Sequence, residues 1–141
     1  MDAKVAGDAN VRIKSFRDLI VWQKAMDLVA LTYRIAQRLP QHETFGLRLQ
    51  MERAAVSIPA NIAEGHARGL TGEYLHHLAY SAGSVAELET HFEICVRLQY
   101  LKREEIEEPL RLCDEVSRMV RTLISKLKRL RAGSGNLTPR S

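Results

Sequence analysis

Four long segments of this chain repeat apolar residues at spacings of three and four, the period of one face of an α-helix. They cover residues 17–39, 45–68, 72–100 and 103–131, and short loops connect them. Because short loops place neighbouring helices side by side in opposite directions, the pattern predicts an all-α, antiparallel up-down-up-down four-helix bundle. The bundle is predicted to occupy residues 16–131, with a disordered N-terminal segment at 1–15 and a disordered C-terminal tail at 132–141.

Capping residues and prolines set the expected ends of these helices. Ser15 or Asp18 can accept backbone N–H bonds at the start of the first helix, and Pro40 stops it. Pro59 removes one backbone donor inside the second helix, so we expect a kink there rather than two helices. Pro109 either begins the regular part of the fourth helix or bends its first turns.

Composition excludes several classes of protein. The chain has 141 residues, enough for one domain with its own core, and only two cysteines, too few for a disulfide scaffold. No apolar run reaches the roughly 18 residues of a membrane span, and the first residues lack the apolar core of a signal peptide. Cys95 and Cys113 fall inside apolar helical patterns. We therefore expect reduced thiols, a cytoplasmic protein and no membrane partner.

Several stretches of sequence together resemble one protein family. They read FRDL at 16–19 followed by VWQKA at 21–25, RAAVSIPANIAEG at 53–65, and AGSVAELET at 82–90. The resemblance is to the bacterial four-helix-bundle proteins encoded by intervening sequences of 23S rRNA genes, and it extends over residues 15–130. The chain is also distantly similar to the accessory variability determinant proteins of diversity-generating retroelements. The resemblance implies a four-helix bundle that assembles as a ring, a homopentamer.

A polar strip on the second helix is predicted to help hold the bundle together. Residues three and four apart on a helix are neighbours, so the side chains of the strip stack over successive turns. They are Arg53, Ser57, Asn61 and Glu64. Apolar residues flank the strip on both sides, which indicates that another helix or subunit covers it. We interpret it as a structural polar network in which Glu87 or Glu89 on the third helix pairs with Arg53; a ligand or catalytic site is the alternative.

The apolar surface exceeds what four helices need to close one core. Apolar residues cover roughly half the circumference of the first helix, wider than the roughly 100° stripe of a helix with one partner surface. On the second helix, Leu49, Val56 and Ala63 repeat every seven residues beyond the polar strip. Left in water, both surfaces would form a larger patch than monomers usually expose. This row therefore predicts the interface of a cyclic homo-oligomer.

The fourth helix ends in a basic face, the candidate site for nucleic acid. Its residues lie opposite the apolar stripe and are Arg118, Arg121, Lys128 and Arg129, with Lys126 and Arg131 at the margins. In a monomer such a face suits the helix dipole and the solvent. Several copies around a ring would sum to a field that attracts RNA or DNA. No aromatic residue interleaves with these charges, so binding is expected to be directed to the phosphate backbone.

No spacing in the chain indicates a cofactor, a metal or a catalytic site. The adjacent His76 and His77 point about 100° apart on a helix, unlike the paired histidines of zinc sites. No nucleophile has a base and an orienting group beside it, so we expect no catalytic residue and no enzyme activity. The sequence predicts a non-enzymatic, ring-forming bundle that binds nucleic acid or a nucleoprotein partner. A protein-interaction or structural oligomer with no nucleic-acid role is the alternative.

Overall fold

The structure, a computed structural model, describes the backbone of residues 13–137 and the side chains of residues 13–133. Within that range it contains four α-helices and three short 3-10 turns. The helices are α1 Ile20–Ala36, α2 Leu47–His66, α3 Gly72–Arg97 and α4 Glu107–Leu137. Helices that are neighbours in sequence pack against each other, and α4 also packs against α1. The predicted all-α four-helix bundle is confirmed, and each of its four sides is formed by one of these helix pairs.

The start of α1 differs from the prediction. The helix begins at Ile20, three residues late, because a 3-10 turn at Phe16–Asp18 precedes it and an extended Leu19 separates the two. Ser15 and Asp18, the two predicted capping residues, both cap that 3-10 turn. Ser15 Oγ accepts a backbone N–H at 3.1 Å, and Asp18 Oδ2 accepts two more at 2.9 and 3.2 Å. These bonds from backbone amides hold the pKa of Asp18 below its usual value.

The end of α3 also comes earlier than predicted, at Arg97 rather than at residue 100. The Tyr100 N–H bonds to the Cys95 carbonyl at 2.8 Å, and the Gln99 N–H bonds to the Val96 carbonyl at 3.0 Å. This pair of bonds is the Schellman motif of helix ends. Gln99 has a φ of 64°, in the left-handed region that glycine usually occupies at this position. No glycine occupies this position, so the apolar pattern alone predicts a helix that is three residues too long.

The last helix runs further than predicted. It continues to Leu137, so residues 132–137 are helical rather than part of a disordered tail. Extending an existing helix avoids the cost of nucleation, which explains why linker-like residues continue it. At the other end, Pro109 lies in the first turn of α4, where its missing N–H has no partner to lose. Of the N-terminal segment predicted to be disordered, residues 13–15 are described and lead into the 3-10 turn that Ser15 caps. Residues 1–12 and 138–141 lie outside the described residues.

The proline inside α2 does not divide the helix. α2 is continuous through Pro59, which is buried. Ser81 on α3 donates a hydrogen bond to the Ile58 carbonyl, one residue before the proline, at 3.0 Å. This bond ties α2 to α3 at the turn where the proline removes a backbone donor.

One continuous apolar core fills the space between the helices. On α1 the buried seam includes Ala25, Leu28 and Ile35, whereas the neighbouring Met26 and Tyr33 remain exposed. Other fully buried core side chains are Met51, Ile58 and Ile62 of α2, Leu78, Leu88 and Phe92 of α3, and Val116 and Val120 of α4. Among the described helices, none combines the length and the apolar character needed to span a membrane.

Gly65 lies where the end of α2 meets the start of α3. A Cβ at this position would lie 2.8 Å from Tyr74 Cδ1 and 2.9 Å from His77 Cβ, closer than side chains pack. Gly65→Ala is therefore expected to lower the free energy of unfolding by about 1–3 kcal/mol, as overpacking does. Urea unfolding followed by circular dichroism measures the change. Gly83→Ala is the control, since a Cβ there meets nothing within 4 Å; equal midpoints for the two variants would contradict this packing argument.

Candidate functional surfaces

The basic surface of α4 is the first candidate site. No aspartate or glutamate follows Glu115 in the sequence, so the second half of α4 carries basic charges alone. All six predicted nucleic-acid-binding side chains are exposed: Arg118, Arg121, Lys126, Lys128, Arg129 and Arg131. The structure therefore leaves the whole predicted set accessible to solvent, and it is called the basic surface below.

The charges of the basic surface are compensated only at its upstream end. Arg118 Nη2 lies 3.2 Å from the Asp114 carboxylate. Arg121 lies near Glu89, whose pKa is raised by burial and by the neighbouring Asp114 and lowered in part by Arg121. The uncompensated positive charge is therefore concentrated in the last turns of α4.

The downstream residues of the basic surface have no such partners. Lys126, Lys128 and Arg129 form no ion pair with any other residue in the described part of the chain. The Arg131 guanidinium lies over Gly72 at the start of α3, 3.7 Å from where a Cβ would stand. The basic surface thus reaches from α4 onto the first turn of α3.

An open groove borders the basic surface on the α1–α4 side of the bundle. Its volume is about 800 Å³, and its apolar lining includes Leu19, Met119 and Leu123. Arg118 and Lys126 also line it. The basic surface therefore meets an apolar groove on one flank and α3 on the other.

A network of polar side chains links α2 and α3, and it contains two of the six predicted residues. Ser57 Oγ lies 2.8 Å from Ser84 Oγ. Asn61 Nδ2 donates to the Ser57 carbonyl at 2.9 Å, and Asn61 Oδ1 lies 2.9 Å from His77 Nδ1. Because a carbonyl can only accept, this orientation of the amide requires His77 to donate its proton from Nδ1. Ser57 and Asn61 were predicted; Ser84 and His77 were not.

The other end of the network lies at the surface. Glu64 Oε1 lies 3.9 Å from His77 Nε2 and 3.3 Å from Arg68 Nη2, and Arg68 also pairs with Glu73 at 3.2 Å. His77 and Ser84 are seven residues apart on α3, so both lie on the flank that faces α2. That spacing is the signal that could have identified them from the sequence.

Arg53 does not take the predicted role. Its side chain is exposed, and the structure brings it to neither Glu87 nor Glu89. Glu87 instead contacts His91 Nε2 at 3.3 Å, and Glu89 lies toward Asp114 on α4. The two carboxylates diverge because residues two apart on a helix do not share a face.

The hydrogen bonds of the network join α2 to α3. Each serine hydroxyl contacts another hydroxyl, an amide or a backbone carbonyl, and the His77 Nδ1 contacts an amide oxygen. No three histidine, cysteine, aspartate or glutamate side chains among the described residues converge as ligands of a metal ion would. Such bonds fix the register of α2 against α3.

Both cysteines lie in the core rather than at a site. Cys95 and Cys113 are buried free thiols, and burial raises their pKa values to about 11 and about 12. Cys95 Sγ lies 3.6 Å from Met51 Sδ. Thiols of this kind remain protonated and pack as small apolar groups.

An apolar surface remains exposed on the α1–α2 side of the bundle. Val56 of the predicted row is 44% exposed, and Leu49 and Ala63 are half-buried. On α1, Met26 and Tyr33 are exposed. Phe45, two residues before the start of α2, is 88% exposed and four residues from Leu49, a feature that the helical pattern did not single out. These residues define the α1–α2 face, which is Met26, Tyr33, Phe45, Leu49, Val56 and Ala63.

Known proteins similar to this chain identify its family. The sequence profile described as 23S rRNA-intervening sequence protein matches residues 17–122. A crystal structure from Bacteroides thetaiotaomicron VPI-5482, described as a protein with unknown function from the S23 ribosomal protein family, has a TM-score of 0.69 at 22% identity. That similarity covers 74% of this chain and 98% of the other, and it shows a shared fold. No curated protein matches the chain. Because the profile match includes the stretches at 53–65 and 82–90, the chain belongs to the 23S rRNA-intervening sequence protein family.

Proposed function

We propose that this protein is a non-enzymatic, ring-forming homo-oligomer that binds nucleic acid or a nucleoprotein partner through the basic surface of α4. The observation that carries the proposal is the run of exposed lysine and arginine side chains after Glu115, without a carboxylate in their own segment. The proposal requires no cofactor and no membrane partner, and it places the protein in the cytoplasm.

Ring assembly and binding support each other in this proposal. One basic surface on a domain with a formal net charge of +4 attracts a polyanion weakly. Several copies around a ring present the same surface repeatedly to one strand, and linked sites bind far more tightly than single ones. Because no aromatic residue interleaves with the charges, the contacts are made to phosphates and discriminate little between sequences.

The salt dependence of binding tests the proposal. Filter binding with single-stranded RNA and with duplex DNA, between about 50 and 200 mM salt, is expected to show a steep loss of affinity. Each phosphate contact contributes a log–log slope of about −0.7 on a single strand and about −0.9 on a duplex. Absence of binding at the lowest salt concentration would refute the nucleic-acid proposal.

The second candidate function is a protein-interaction or structural oligomer with no nucleic-acid role. The exposed α1–α2 face favours it, because that face suits another protein surface and contains no basic cluster. Light scattering together with the filter-binding assay separates the outcomes. An oligomer that binds neither RNA nor DNA supports this second candidate, and a 16.0 kDa particle refutes both candidate functions.

A further inference from the structure

The apolar groove beside the basic surface extends along α4 to an exposed leucine. Its floor is formed by Met119 and Leu123 of α4 together with Leu19. Leu130 comes seven residues after Leu123, which is close to two helical turns, so it lies on the same side of α4. Leu130 is 48% exposed. These four residues form one apolar strip, called the groove floor below.

Cations alternate with the apolar side chains of the groove floor. Arg118 and Lys126 line the groove, and both side chains are exposed. Lys126 comes three residues after Leu123 and four before Leu130, so it borders both leucines on the surface of the helix. Along this side of α4 a ligand therefore meets positive charge and apolar area in turn.

The charge of the groove is positive although a carboxylate lines it. Glu115 lies at the upstream end of the groove, and it forms an ion pair with Lys24 of α1. Lys126, toward the other end, forms no ion pair with another residue in the described part of the chain. An apolar floor with positive charge at its edge suits a ligand that has both negative and apolar parts.

We propose that the groove holds the unpaired bases of a single-stranded nucleic acid while Arg118 and Lys126 contact its phosphates. This inference rests on the proposed function, whose phosphate contacts leave the bases free. A single strand exposes the faces of its bases, whereas a duplex keeps them stacked and paired inside the helix. A single strand can therefore cover the groove floor, and a duplex leaves it in water.

The side chains at the groove suit the flat faces of bases. The thioether of Met119 makes favourable contacts with aromatic rings, and it adapts its shape because the side chain is unbranched. The guanidinium of Arg118 is planar and can stack on a base. Every base offers such a face, so contacts of this kind select single strands over duplexes without reading the sequence.

Two single strands that differ only in their bases test the inference. One is oligothymidylate, and the other is a strand of the same length built from abasic tetrahydrofuran units, so both carry the same number of phosphates. Wild-type protein is expected to bind oligothymidylate more tightly by a factor of about 10 or more, because base contacts add to the phosphate contacts. Fluorescence anisotropy at one salt concentration measures both affinities.

A neutral change in the groove floor shows where the bases bind. Leu130→Gln is expected to weaken binding to oligothymidylate by a factor of about 5 or more and to leave binding to the abasic strand unchanged. The log–log salt slope should stay the same, because the variant removes no phosphate contact. Leu98→Gln is the matched control, since Leu98 is 50% exposed and lies at the opposite end of the bundle. It is expected to bind both strands as the wild type does.

The outcomes separate this inference from the proposed function. Absence of binding to both strands would refute the proposed function and this inference together. Equal, salt-dependent binding of the two strands by the wild type would leave the proposed function standing and refute this inference alone. Equal losses in Leu130→Gln and Leu98→Gln would refute it too. A changed particle mass of Leu130→Gln in light scattering would mean that a second protein molecule covers the groove, which also contradicts it.

Discussion

The double variant Lys128→Glu/Arg129→Glu is expected to lose all measurable binding to RNA and DNA while keeping its fold. Both side chains are exposed and neither forms an ion pair with the described residues, so the reversal breaks no internal contact. Arg118 and Arg121 are less suitable targets because Asp114 and Glu89 lie beside them. Each lost phosphate contact flattens the log–log salt slope by about 0.7 on a single strand. Filter binding across a salt series measures the loss.

A second double variant with the same change in net charge shows whether binding depends on contacts at the basic surface or on net charge alone. Arg97→Glu/Lys102→Glu changes two exposed basic residues at the opposite end of the bundle, around the α3–α4 loop. Both double variants lower the formal net charge from +4 to zero, since each reversal removes two units. The basic-surface proposal expects the control to keep most of its binding. Equal losses in both variants would mean that net charge, and not the basic surface, attracts the nucleic acid.

The helices could be predicted because their signals are local. Apolar periodicity and short loops fix four helices and their antiparallel order, and these determine the core. The helix ends depend on contacts that periodicity does not contain. Gln99 closes α3 in a conformation usually taken by glycine, and an extended Leu19 delays α1. The end of α3 is set by backbone hydrogen bonds, and the start of α1 is set by a 3-10 turn that the Ser15 and Asp18 side chains cap.

The members of a candidate surface could be predicted from the sequence when that surface lies on one helix. The basic surface depends on α4 alone, and all its predicted residues are exposed. The polar network depends on two helices, so the rotation of α3 decides its members: His77 and Ser84 face α2, whereas Glu87 turns toward solvent. The rotation of α3 about its axis is decided when α3 packs against α2, so the sequence pattern alone does not predict it.

The double variant Met26→Glu/Val56→Glu is expected to convert the assembly into monomers. Both residues lie on the α1–α2 face, 43% and 44% exposed in the single chain, so glutamate is tolerated there when no second copy covers it. In an assembly every contact would bury two unpaired carboxylates, which costs several kcal/mol for each. Light scattering is expected to change from about 80 kDa for a ring of five, five times 16.0 kDa, to 16.0 kDa.

The same variant shows whether assembly and nucleic-acid binding are coupled. It keeps the basic surface intact, so each monomer retains its own phosphate contacts. In a monomer no further basic surface is linked to the one that is already bound, so the gain from multiple linked sites is lost. The affinity for nucleic acid is therefore expected to fall by a factor on the order of 100 or more. The salt slope should flatten at the same time, because fewer counterions are released by each particle bound. Unchanged affinity in a confirmed monomer would mean that one basic surface suffices and that the ring serves a separate purpose.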